Sequence, residues 1–225
     1  MGFYRGPNIV TDGLKFAMDA GSGRSYPGSG TTTTNIINGA SGTLTNGVAY
    51  VTSNGGAFDF DGTDDFIGFP DDTALNLQTL TMEGWVLMDS TLGQDAFFFE
   101  KGAVNTQYST FTNATNIIFR TQSLSIVDLA QSLSSYTSAG AWFHYACTYG
   151  AGTKRIYVNG TQIAISTGLT GTIPINTTGL FMGAYGPGAS YFLDGKIAAT
   201  RVYNKALTAA EVTQNFNAQK SRFGL

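Results

Sequence analysis

Short runs of β-branched and aromatic residues, separated by glycine- and asparagine-rich turns, recur along nearly the whole chain and leave little room for anything but an all-β fold. They occupy residues 14–18, 57–60, 66–69, 80–88, 96–100, 108–111 and 116–121, then 142–149, 155–158, 162–166, 179–183 and 196–203. Alternation, or a short apolar run bounded by turn residues, marks a strand. The reading is about a dozen strands and one helix.

The sharpest local signal is Lys154-Arg-Ile-Tyr-Val-Asn-Gly-Thr-Gln-Ile-Ala-Ile165, where Asn159-Gly160 separates two alternating runs. Asn-Gly accepts the positive φ angles of a type I′ turn, so this segment is predicted to be a two-residue hairpin. Trp85-Val-Leu-Met88 and Phe97-Phe-Phe99 are apolar at consecutive positions. Such strands are buried on both faces, or have one face covered by loops. Both tryptophans, Trp85 and Trp142, lie in strand runs and read as core.

The helix signal is confined to the C-terminus. Thr208-Ala-Ala-Glu211 fits a capping box, Val212 and Phe216 lie four apart on one face, and Lys220 and Arg222 follow where a helix dipole favours cations. Residues 20–56 are rich in Gly, Ser, Thr and Asn, with the turn pairs Asn38-Gly39 and Asn46-Gly47. They read as a long, mainly irregular excursion, favoured as an ordered surface loop lying across a sheet, with a partner-binding arm as the alternative. Residues 1–12 read as a lead segment and 13–225 as a single domain that includes this excursion.

Composition narrows the function classes. The 225 residues suit one large β domain, and 29 glycines, 13% aromatics and only 12% charged residues fit short strands joined by tight turns. With a net charge of -3 and 12 basic residues spread along the chain, no basic stripe is present to neutralise a phosphate backbone, and nucleic acid is not expected as a partner. No stretch approaches the roughly 18 apolar residues that span a bilayer, so no membrane insertion is expected. The opening MGFYRGPNIVTDG has no basic region followed by an apolar one, so synthesis in a cytoplasm without a signal peptide is expected. The single cysteine, Cys147, lies in an apolar run and reads as an inert buried thiol.

Glycoside hydrolysis by retention needs two carboxyl groups about 5 Å apart. The three glutamates, Glu83, Glu100 and Glu211, fall in separate elements, and no Glu-x-Asp-x-Glu pattern exists. Glu83 reads as a residue that hydrogen-bonds across the sheet or faces solvent. His144, the sole histidine, reads as structural, and no Gly-x-Ser-x-Gly elbow accompanies it. The chain is therefore expected not to be an enzyme.

Two features remain as candidate sites. Phe58-Asp-Phe-Asp-Gly-Thr-Asp-Asp-Phe-Ile67 gathers acids at a turn. There Asp61, Asp64 and Asp65 either shape the turn through backbone amides, the favoured reading, or hold Ca2+ with help from Asp194 or Asp71 and Asp72. Phe60, Phe66 and Ile67 are expected to enter the core. Tyr185-Gly-Pro-Gly-Ala-Ser-Tyr191 marks a loop with two tyrosines at the sandwich rim, so Tyr185 and Tyr191 are the candidate carbohydrate-binding residues, capping of the core being the alternative.

Several segments together resemble a laminin G-like, concanavalin A-like sandwich domain. They are Phe58 to Ile67 as quoted, Leu80-Thr-Met-Glu-Gly-Trp-Val86, Glu100-Lys-Gly102, Trp142-Phe-His-Tyr-Ala-Cys-Thr-Tyr149, Ile156-Tyr-Val-Asn-Gly160, Leu193-Asp-Gly-Lys-Ile197 and Arg201-Val-Tyr-Asn-Lys-Ala-Leu-Thr208. The resemblance implies an antiparallel β-sandwich of jelly-roll type with one short C-terminal α-helix, in which strand 14–18 pairs with strand 197–203. The flanks Gly6-Pro-Asn-Ile-Val-Thr-Asp-Gly-Leu14 and Gln214-Asn-Phe-Asn-Ala-Gln-Lys-Ser-Arg-Phe-Gly224 are similar to those of such domains in bacteriophage virion proteins. That similarity implies a non-enzymatic structural protein of the virion: a capsid decoration, head-fibre or tail-fibre component, multicopy or homo-oligomeric. Its expected partners are other virion proteins and host or environmental glycans. The alternative is a soluble lectin outside any particle.

Overall fold

In the computed structural model, which describes residues 7–89, 95–102, 107–113, 115–188 and 190–225, the apolar runs pair into two antiparallel sheets of eight strands each. The first half of the chain contains β1 (Leu14–Asp19), β2 (Thr32–Thr34), β3 (Ser41–Thr45), β4 (Ala49–Val51), β5 (Ala57–Asp61), β6 (Phe66–Phe69), β7 (Leu80–Met88) and β8 (Ala96–Lys101). The second half contains β9 (Tyr108–Asn113), β10 (Asn116–Thr121), β11 (Asp128–Ser132), β12 (Trp142–Gly150), β13 (Thr153–Val158), β14 (Thr161–Ser166), β15 (Leu180–Met182) and β16 (Asp194–Tyr203). The first sheet runs β14-β13-β12-β7-β16-β5-β4, with β1 also on β16, and the second runs β11-β10-β9-β8-β15-β6-β3-β2.

The long strand β16 carries two partners end to end on one edge. β5 takes its beginning, from Asp194 opposite Asp61, and β1 takes its end, up to Tyr203 opposite Leu14. The expected pairing of the first and last strands is therefore present. The Asn159-Gly160 hairpin also forms, with φ of 50° and 77° at the two turn residues and Val158 opposite Thr161.

All the strands read from the sequence are present, and four more join them: β2, β3, β4 and β11. Residues 20–56 are irregular over most of their length, as read, but three short strands within them pair into the sheets. They add β2 and β3 to one edge of the second sheet and β4 to an edge of the first. The signal is faint because only alternate residues turn inward: Thr33 in one three-residue strand, and Gly42 and Leu44 in its partner.

Phe16, Phe58, Phe98, Phe99, Tyr108 and Phe119 pack between the sheets, with Phe16 edge-on to Phe69 at 5.0 Å. Cys147 is buried among them, and burial pushes its thiol up to about 12. The outer face of the first sheet is covered as well, by helix α1 (Ala209–Gln219) and the following 3-10 turn Lys220–Phe223. Trp85 and Trp142 lie under this cover, against Phe216 and Phe223, and not between the two sheets.

The capping box forms: the Thr208 amide donates to Glu211 Oε2 at 2.8 Å and the Glu211 amide to Thr208 Oγ1 at 3.3 Å. Lys220 and Arg222 fall beyond the last helical turn, contrary to the dipole reading. Arg222 instead pairs with Asp19 at 2.8 Å and donates to the carbonyl of Gly56, clamping the 3-10 turn to the first sheet. Residues 1–6 of the lead segment lie outside the described residues. Val10 of the same segment packs on α1, its amide donating to Asn215 Oδ1 at 2.8 Å. Among the described residues no helix is long and apolar enough to cross a membrane.

Candidate functional site

Three consecutive phenylalanines cannot all project from one face of a regular strand. β8 accommodates them with a bulge: Phe97 pairs with Phe111 and Phe99 with Thr110, so Phe98 is the extra residue. Phe98 and Phe99 enter the core, while Phe97 turns to the outer face of the second sheet. There its ring stacks on Phe111 at 4.5 Å and 5°, and Ile118, opposite Phe111 on β10, continues the apolar row. Facing side chains on adjacent strands hold one another in place, so this row is a rigid floor.

The loop after β15 folds over that floor. The Gly183 amide donates to the Phe97 carbonyl at 3.1 Å, the Phe97 amide to the Tyr191 carbonyl at 3.2 Å, and the Tyr185 amide to the Ser190 carbonyl at 2.9 Å. The buried carboxylate of Glu100 accepts from the Gly186 amide. Gly188 is required at the turn: its φ is +75°, and a Cβ would lie 2.5 Å from the Phe66 ring.

This loop brings the two candidate tyrosines together above the floor. Tyr185 lies 5.0 Å from Phe97, and Tyr191 lies 6.1 Å from both Phe97 and Tyr185. Tyr191 is held at a φ of 54°, a conformation that bulky residues rarely adopt, and is 50% exposed. Backbone strain that presents an aromatic ring to solvent is a mark of a functional position.

The rings enclose a cavity of about 320 Å3, with Asp95, Asn113 and Arg120 completing its wall. Arg120 is fixed by Asp128 through two 2.7 Å hydrogen bonds, and its guanidinium lies 4.8 Å from the Phe111 ring centre. Asp128 thereby holds the guanidinium more firmly charged than usual. The arrangement offers flat apolar faces beside fixed polar groups, at the small end of the roughly 300–1,000 Å3 typical of small-molecule sites. Tyr185 and Tyr191 were candidates from the sequence, and the floor beneath them was not. Its trace was the period of two that puts Phe111 with Asn113, and Ile118 with Arg120, on one face.

At the β5–β6 turn the carboxylates of Asp61, Asp64 and Asp65 come within 4.8 Å of one another. Turn chemistry is present: Asp61 Oδ1 accepts from the Thr63 amide at 2.8 Å and Asp65 Oδ2 from the Asp61 amide at 3.2 Å. Asp194 stands opposite Asp61 in the ladder, but Asp71 pairs with Lys101 at 2.7 Å and Asp72 caps the turn Thr73–Leu75, so those two serve elsewhere. Phe60 and Ile67 are core residues, whereas Phe66 turns outward against Phe181 at 6.4 Å, because alternation on β6 sends its neighbour Ile67 inward.

Glu83, fully buried under α1, hydrogen-bonds across the sheet. Its Oε1 accepts from Arg201 at 3.1 Å, both oxygens accept from Asn215 at 3.0 Å, and Tyr203 contributes a 3.4 Å bond. His144 Nε2 lies 3.6 Å from Oε2. Burial pushes the Glu83 carboxyl up, and His144, Arg201 and Asn215 outweigh it, leaving the group below the usual carboxylate range. Glu211 serves the capping box and also pairs with Lys205 at 2.8 Å.

Comparison with known proteins bears on the fold. A family model described as the Concanavalin A-like lectin/glucanases superfamily matches residues 61–213, more than half of the chain. No curated protein matches in sequence. Among solved structures, the chain is similar to the binding domain of Paraclostridial Mosquitocidal Protein 1, with a TM-score of 0.73 at 16% identity over 92% of this chain and 52% of that one. It is similar to the binding domain of Botulinum Neurotoxin DC in complex with SialylT, with a TM-score of 0.72 at 13% identity over 92% and 52%. It also resembles Trypanosoma rangeli sialidase in complex with sialic acid, with a TM-score of 0.68 at 14% identity over 95% and 34%. The chain spans about half the length of those toxin domains and about a third of the sialidase.

Proposed function

The chain belongs to the concanavalin A-like lectin/glucanase superfamily, and from that premise we propose that it is a non-enzymatic carbohydrate-binding module whose ligand lies in the cavity between Tyr185, Tyr191, Phe97 and Phe111. The aromatic cavity carries this reading, since fold alone does not assign function. The binding domain of Botulinum Neurotoxin DC in complex with SialylT and the sialidase in complex with sialic acid support glycans as the ligand class. Charge narrows that class further. The charge of Arg120 in the cavity wall is already balanced by Asp128 through two hydrogen bonds, so neutral sugars are favoured over sialylated ones.

A glycan array followed by calorimetry tests this. The wild type is expected to bind a neutral oligosaccharide saturably, and Tyr191→Ala to weaken that binding about tenfold, corresponding to ~1.4 kcal/mol. Because Tyr191 is half exposed, the variant is expected to keep its melting temperature. The absence of saturable binding at millimolar glycan, or unchanged affinity in the variant, defeats the proposal.

The setting we infer is a virion surface, with the protein present in multiple copies against other virion proteins. The support is the similarity of the flanking segments to phage virion proteins, together with an arrangement suited to display. Val10, α1 and the C-terminal turn all lie on the outer face of the first sheet, opposite the aromatic cavity. Attachment through that side leaves the sugar cavity pointing outward. Quantitative mass spectrometry of purified particles is expected to find the protein at a fixed copy number. Its presence in infected cells and absence from particles leaves the soluble lectin as the reading that stands.

A further inference from the structure

We propose that Asp61, Asp64 and Asp65 form a binding site for a hard divalent cation of the calcium class at the β5–β6 turn. Their carboxylate oxygens converge within 4.8 Å, and among the described residues no lysine or arginine pairs with them. Asp59 and Asp89, in the same acidic pocket, are neutralised by Lys196 at 3.2 Å and 2.5 Å, which leaves that cation fully engaged.

Asp65 is the observation that points to a ligand beyond the clustering itself. Only 3% of its surface is exposed, and its Oδ1 has no hydrogen-bond partner. That oxygen lies beside Gly47, where an added Cβ would stand 3.4 Å from it, and both residues line a cavity of about 240 Å3 shared with Asp61 and Asp194. A buried carboxylate oxygen left unpaired is costly, and a cation or a proton relieves it.

Calcium takes six to eight oxygens at flexible angles, so three carboxylates on a loop, with water, suit it. Magnesium demands a tighter octahedron and retains its own water. The cation would hold the β5–β6 turn closed, and Gly62 in that turn already touches Asp194, an added Cβ lying 2.9 Å from the Asp194 Cβ.

Thermal unfolding in EDTA and in millimolar CaCl2 tests the site, since a ligand bound only by the folded state raises the melting temperature. The wild type is expected to show a saturable rise that MgCl2 reproduces weakly. Asp64→Asn, whose side chain is exposed, is expected to bind calcium on the order of tenfold more weakly. Asp65→Asn is expected to melt above the wild type in EDTA and below it in calcium, because it removes an unpartnered buried charge together with a ligand. A wild-type melting temperature that ignores calcium, an equal rise in Asp64→Asn, or an equal rise with magnesium overturns the proposal.

Discussion

Replacing Glu83 by alanine is expected to destabilise the protein by about 3–5 kcal/mol, the usual cost of removing one partner from a buried ion pair. The carboxylate is the hub of the layer between the first sheet and α1, accepting from Arg201, Asn215 and Tyr203 with His144 beside it. Without it, the Arg201 guanidinium, 5% exposed, loses its counter-charge, and Asn215 loses the acceptors that hold α1 down. Glu83→Gln preserves the shape and is expected to lose less, so the difference between the two variants isolates packing from charge. Urea midpoints at neutral pH measure both.

The pH dependence has a definite sign. Because the folded-state carboxyl of Glu83 lies below its unfolded value of about 4.3, it stabilises the fold above that pH. The advantage of wild type over Glu83→Gln is therefore expected to be full near neutrality and to shrink as pH falls below about 4 through the folded-state value. A difference that grows on acidification contradicts this assignment.

The second large effect concerns the aromatic cover. Phe223 stacks on Trp85 at 4.1 Å and 16° and meets Trp142 at 4.9 Å, while Phe216 also stacks on Trp85, at 5.8 Å and 20°. Phe223→Ala is expected to cost about 3 kcal/mol, the lower end for a buried phenylalanine, because a segment near the chain end can relax into the gap. Both tryptophans of the chain lie here, so the emission maximum is expected to shift to the red while far-ultraviolet circular dichroism is retained. Unchanged emission means that the cover does not depend on this ring.

Much of this fold was legible wherever a local rule coincided with the tertiary demand. The Asn159-Gly160 hairpin and the Thr208 capping box need only their own few residues, and both formed. β2, β3 and β11 were not legible, because they are short and largely polar and become strands only through pairing, as Arg120 and Asp128 illustrate at the β10–β11 edge, and the three residues of β4, Ala49-Tyr50-Val51, are too few to show alternation. The site divides in the same way. Gly and Pro around Tyr185 and Tyr191 announced a loop with two tyrosines at the sandwich rim, but the Phe98 bulge that turns Phe97 outward depends on registration against β9. Asp61, Asp64 and Asp65 were recognisable as a cluster from spacing alone, whereas the unpartnered oxygen of Asp65 belongs to three dimensions. The tryptophans read as core from their strands, and the helix supplies the surface that buries them.

The central claim is that sugar binds on the outer face of the second sheet, and chemical-shift mapping with a neutral oligosaccharide tests it most directly. The account predicts saturable shifts centred on the rings of Tyr185 and Tyr191 and on amides of β8 and β9 near Phe97 and Phe111, with the face under α1 silent. Shifts centred on any other surface, or none at millimolar sugar, contradict it.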